Sequence, residues 1–199
     1  MIPLVRALPT VTAMHVPTFV KRQSLNALTA CLFGVAIWRL GLSPELPAVL
    51  AFIFGGVLLA VIDWRVQRLP TRLVYSTLAG VAAGLVFASL VEWRWMPLAT
   101  AVVGALLLAN AFLLVHLAGR QFSGMLLLGF GDVRLAAVLG MLLGWYGLQY
   151  VVYGALAGHA LAAVIAVAHS ISARRLVVRY SFGPPLIAGT LAVVLFQAA

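Results

Sequence analysis

The chain has 199 residues, of which 64% are hydrophobic and only 9% charged, and its formal net charge is +9. A soluble domain carries about 25% charged residues, so there are too few charges here to cover a surface exposed to water. An ordinary globular fold is excluded. Successive apolar runs of about twenty residues, without period-2 alternation, predict an all-α, polytopic bundle of transmembrane helices rather than a barrel.

In chain order, residues 1–23 hold Pro3, Pro9, Pro17, Arg6, Lys21 and Arg22. No apolar core there leads to a small-residue cleavage site, so the segment reads as a cytoplasmic tail and not as a removable signal. Residues 24–199 read as a single transmembrane domain of about seven spans (six to eight). The predicted spans are 25–42, 46–62, 73–91, 97–117, 133–147, 150–170 and 183–198. Asn26 and Arg39 interrupt the first. The fifth is short for a bilayer crossing, which points to a start before Asp132.

The basic residues test this topology independently. With the N-terminus in the cytoplasm, eleven of the thirteen fall inside: Arg6, Lys21, Arg22, Arg65, Arg68, Arg72, Arg120, Arg134, Arg174, Arg175 and Arg179. Only Arg39 and Arg94 fall outside, as the positive-inside rule requires. The excess charge therefore points to anionic membrane lipids as a partner and not to nucleic acid. Trp93, Trp95 and Trp145 suit the aromatic belt at membrane interfaces. The single cysteine, Cys31, excludes an internal disulfide and any multi-cysteine zinc site; lying in an apolar run, it is expected to pack as a small hydrophobe.

Glycine pairs four residues apart recur on three predicted helices, at Gly80 and Gly84, Gly140 and Gly144, and Gly154 and Gly158. They predict close helix–helix approach and identify no activity.

Four acids complete the inventory. Glu45 and Glu92 fall in outer loops, where they are solvated. Asp63 and Asp132 are the only aspartates, and both are predicted at cytoplasmic helix ends. Asp132 ends the run Gly129-Phe130-Gly131-Asp132 as a helix begins. Alone it reads equally well as a helix cap. Asp63 opens Asp63-Trp64-Arg65-Val66-Gln67-Arg68-Leu69-Pro70, and alone reads equally well as an interfacial partner of Arg65 or Arg68. Together the two carry more weight, because ionisable groups in membrane segments are functional by default. Two carboxylates brought close share a proton. The ionised member can draw a proton from water while the protonated one polarises a peptide carbonyl, which is general acid–base hydrolysis.

Three segments, 62–73 (IDWRVQRLPTRL), 129–145 (GFGDVRLAAVLGMLLGW) and 181–189 (SFGPPLIAG), resemble the type IV prepilin peptidases, intramembrane aspartyl proteases of the GxGD group. The resemblance runs over about residues 46–198. It implies that Asp63 and Asp132 are the catalytic aspartates, with Gly129, Gly131, Pro70, Gly183 and Pro184 shaping the site. Arg68, Arg72 and Arg134 become candidates to bind substrate, although positive-inside topology already accounts for them. The implied substrate is a prepilin or pseudopilin whose short basic leader is cut off at the inner-membrane face; no residues in the sequence supply a metal ligand set, so no cofactor or metal is expected. Thr71, Arg134 and Ser181 depart from the family's common Asn or Asp, Lys and proline. The single Cys31 cannot build the paired-cysteine motif of bifunctional members, so the expectation is the short, peptidase-only form associated with Flp-type pili.

Other schemes fit less well. Ser123-Gly124 lacks the context of a serine intramembrane protease, and no HExxH pattern is present. His159, after Gly158, is expected to hydrogen-bond between helices. A small proton-coupled transporter is the alternative from a different class, but such carriers place their sites near the midplane. A non-catalytic pilus-assembly protein would have no need of both aspartates.

Overall fold

A computed structural model describes residues 22–67, 69–119, 121, 129–173 and 181–197. Most of the predicted tail lies outside the described residues, as do Arg68, Arg120, Ser123, Gly124, Arg174, Arg175 and Arg179. The described residues form seven α-helices and no strand: α1 Arg22–Leu40, α2 Leu46–Val66, α3 Thr71–Glu92, α4 Met96–Ala118, α5 Phe130–Tyr146, α6 Leu148–Ala173 and α7 Gly183–Gln197. The all-α polytopic bundle expected from composition is the fold observed. α1 begins two residues inside the predicted tail and runs through Asn26 and Arg39 without a break. The fifth helix starts at Phe130 and so includes Asp132.

Four helices are long and apolar enough to cross a membrane: α2, α3, α4 and α6 over Leu148–Ala168. The remaining three are shorter. α7, with 15 residues, rises about 22 Å at 1.5 Å per residue. α4 and α6 turn large apolar side chains outward, among them Leu106, Leu107 and Leu114 on α4 and Val152, Leu156 and Val164 on α6. In water such a surface would drive association; against acyl chains it carries no penalty.

α5 is the hub, packing against α3, α4, α6 and α7, while α2 packs against α1, α3 and α7. α3 and α7 thus each touch both aspartate-bearing helices, and they fix where α2 and α5 stand relative to each other. The interior between them is filled by Phe52, Ile53 and Leu59 of α2, Leu85 of α3, Leu135, Leu139, Leu142 and Leu143 of α5, and Leu186 of α7.

The glycine pairs set the spacing of this core. The α4–α5 contact is the most extensive, and there Gly104 lies against Gly140 and Gly144. A Cβ on Gly144 would come within 2.5 Å of the Thr100 carbonyl oxygen, and one on Gly140 would strike the Gly104 backbone. At the far end of the bundle from Asp63, Arg39 Nε donates to the Leu195 carbonyl at 2.9 Å. That bond ties α1 to a carbonyl of the last turn of α7, where helix acceptors lack intrahelical donors.

Two expectations differ. Cys31 is exposed on α1 and does not fill a gap between the described helices. His159 bonds within its own helix, Nδ1 to the Ala155 carbonyl at 2.7 Å. Its contacts between helices are edge-on ring packings against Phe112 and Phe182, each at 5.7 Å.

Candidate active site

Asp63 stands one turn before the end of α2. It is 5% exposed, a costly place for a carboxyl group unless hydrogen bonds meet it. Two donors do. The Gly183 N–H, at the start of α7, donates to Oδ2 at 2.9 Å, and the Ser181 hydroxyl donates to the same oxygen. The interhelical contact depends on glycine, since a Cβ at Gly183 would sit 2.7 Å from that oxygen. α2 then closes with Gln67 in the left-handed region (φ 52°), its N–H returned to the Asp63 carbonyl. The chain reaches Pro70, whose extended backbone caps α3 and whose carbonyl accepts from Leu73 and Val74. Proline suits this position because the N–H it lacks would have no helical partner.

Asp132 sits in the first turn of α5. Its backbone N–H donates to the Gly129 carbonyl at 3.0 Å, and its Oδ2 accepts the Gly129 N–H at 3.1 Å. The carboxylate therefore does serve the helix start, where negative charge is favoured. Gly131 is required by packing: a Cβ there would meet Leu69 of the α2–α3 connection at 3.0 Å.

These two segments enclose one cavity of about 290 Å³, lined by Asp63, Gln67, Leu69, Gly129, Phe130, Gly131, Asp132 and Arg134. The two aspartates are thus on the same end of the bundle, within electrostatic reach of each other. Among the described residues neither forms an ion pair; in particular Asp63 is not bridged to Arg65. A cap at Asp132 and a pair of hydrogen bonds at Asp63 leave both carboxyl groups with acceptor capacity to spare.

Of the arginines singled out in the sequence, Arg134 joins the cavity. It donates to Thr71 Oγ1 and lies 4.8 Å from the Phe130 ring centre and 5.9 Å from that of Tyr75. Thr71 therefore holds this arginine across 63 positions of sequence. Arg72 is exposed and does not line the cavity. Pro184 turns the other way, into a larger apolar groove of about 610 Å³ between α1, α2 and α7. Among the described residues Arg65 is the one charged residue lining that groove, and neither aspartate does. Among the described residues no three His, Cys, Asp or Glu side chains converge as a metal site. Gln67, Leu69 and Phe130 are cavity residues that sequence reasoning did not single out. Ser181 was noted only as a replaced proline, and nothing in the sequence ties it to a residue in α2.

A model of the type IV leader peptidase family matches residues 49–171. The match covers both aspartate segments and stops before Ser181 and Gly183. Among similar proteins, the prepilin leader peptidase/N-methyltransferase of Dickeya chrysanthemi is 40% identical over 131 residues, covering 65% of this chain and 43% of that protein. Those of Klebsiella pneumoniae and Bacillus subtilis are 37% and 34% identical over 126 and 117 residues, covering 62% and 59% of this chain and 52% and 43% of the relatives. The chain thus spans about half the length, or less, of these curated relatives. No solved structure matches. With both aspartate segments inside the matched region and facing one cavity, the chain belongs to the type IV leader peptidase family.

Proposed function

We propose that this chain is an intramembrane aspartyl endopeptidase that removes the short basic leader from prepilins or pseudopilins, of the Flp-like kind. Asp63 and Asp132 are its catalytic pair. The observation that carries the reading is the convergence of the chain's only two aspartates, from separate helices, on one small cavity at one end of a membrane bundle. Family membership and the names of the relatives support the peptide substrate. They do not favour the proton-coupled carrier.

In this reading the N-terminus is cytoplasmic and the cavity opens to the cytoplasmic face of the inner (plasma) membrane. Basic residues at the cavity end, Arg65, Arg72 and Arg134, support that orientation. The prepilin's leader would enter from that side while its apolar helix stays in the bilayer. A water held between the carboxyl groups attacks the scissile carbonyl carbon. One carboxylate takes the water's proton, and the other carboxyl group donates a proton to the departing nitrogen. Arg134, fixed by Thr71 and Phe130, places a positive charge beside the bound peptide.

The test is to express the full chain with a prepilin carrying a short basic leader in a host without its own prepilin peptidase. Mass spectrometry then reads the N-terminus of the product. Cleavage where the leader meets the apolar segment is expected. A precursor that stays intact in the same membranes would refute the assignment.

A further inference from the structure

Ser181 lies beyond the region the family model matches, yet its hydroxyl reaches Asp63 across 118 positions of sequence. We propose that Ser181 is a positioning residue that, with the Gly183 N–H, clamps one oxygen of Asp63 and thereby makes Asp63 the member of the pair that takes the proton from water. The inference rests on the peptidase reading above and adds a direction to it.

Both donors converge on Oδ2, while Oδ1 accepts from no described residue. Donors aimed at a carboxyl group favour its ionised form over its protonated one, and Asp63 receives two. Fixing Oδ2 also fixes the plane of the carboxyl group, so Oδ1 is the atom left to work on water. Asp132 is held differently: one backbone N–H, that of Gly129, meets its Oδ2. The pair is therefore asymmetric. In the balanced step, Asp63 Oδ1 takes one proton from water and the hydroxyl oxygen bonds to the carbonyl carbon. The C–N bond then breaks, and the nitrogen receives the proton held by Asp132.

Because Ser181 does not line the cavity, substrate affinity should be indifferent to it.

The test uses the purified full chain in liposomes, cleaving a Flp-type prepilin, with Ser181→Ala and Ser181→Thr beside Asp63→Asn. Losing a hydrogen bond to a charged group predicts that Ser181→Ala lowers kcat by about ten- to a hundredfold. KM should stay within about twofold, and Ser181→Thr, which keeps the hydroxyl, should restore most of the rate. A kcat for Ser181→Ala near that of the parent, or an equal loss in both Ser181 variants, would overturn the inference. So would a change confined to KM. If Asp63→Asn itself cleaves normally, the peptidase reading fails first; an inert Asp63→Asn beside a fully active Ser181→Ala sinks only the clamp.

Discussion

Replacing Gly183 by alanine separates the geometry of the site from the stability of the fold. An alanine Cβ would lie 2.7 Å from Asp63 Oδ2 and 3.2 Å from its Cγ. Ordinary contact begins near 3.4 Å, so the carboxyl group must retreat by about 0.7 Å, and misplacement on the order of 1 Å costs about a hundredfold in rate. The atom that gives way is the end of a side chain and not backbone, so the helices need not part. The expected outcome is a kcat lowered about ten- to a hundredfold, with little change in Tm, measured on the reconstituted protein with a prepilin substrate. An unchanged kcat would show that the oxygen facing Gly183 plays no part in the chemistry. A collapse of Tm with activity per folded molecule intact would show that Gly183 serves packing alone.

Other perturbations have different signatures. Gly140→Ala drives a methyl into the Gly104 backbone, where neither helix can yield by a side-chain rotation; a loss of about 1–3 kcal/mol should appear as a lower Tm, and an unchanged Tm would mean that α4 and α5 sit farther apart. Arg134→Lys removes the planar group that binds Thr71 and lies over Phe130, and should destabilise by about 1 kcal/mol; a neutral result in thermal melting would count against that contact. Arg39→Met loses the donor to Leu195 at the end away from the cavity, so stability should fall by about 1 kcal/mol while kcat stays at the parental value; a kcat change would show that the two ends of the bundle are coupled.

Much of the architecture was legible because membrane helices announce themselves by apolar length. All seven helices lie on the predicted apolar runs, four of them long and apolar enough to cross a membrane, and even the early start of α5 followed from a run too short to cross. The shared position of Asp63 and Asp132 was legible for a related reason: acids are so rare in this chain that their sidedness stands out. Partnerships across helices were not. Gly140 and Gly144 were visible as a pair, but the surface they meet, Gly104, carries no signal of its own on α4. Cys31 looked like a packing residue because a lipid-facing side and a core-facing side are equally apolar. The same ambiguity hid where Pro184 points. Ser181 was invisible because a hydroxyl 118 positions from its carboxyl partner leaves no local pattern, and His159 satisfied its ring nitrogen on its own helix, an option the glycine beside it does not advertise.

The central claim is that two aspartates act as one catalytic unit. Its most direct test is the cleavage rate of purified Asp63→Asn and Asp132→Asn, each in liposomes with a prepilin substrate, at matched amounts of folded protein. An amide keeps the shape of the side chain but cannot exchange the proton, so each variant alone is expected to lose cleavage entirely while its Tm stays near that of the parent. Leader removal at the parental rate by either one would contradict the account.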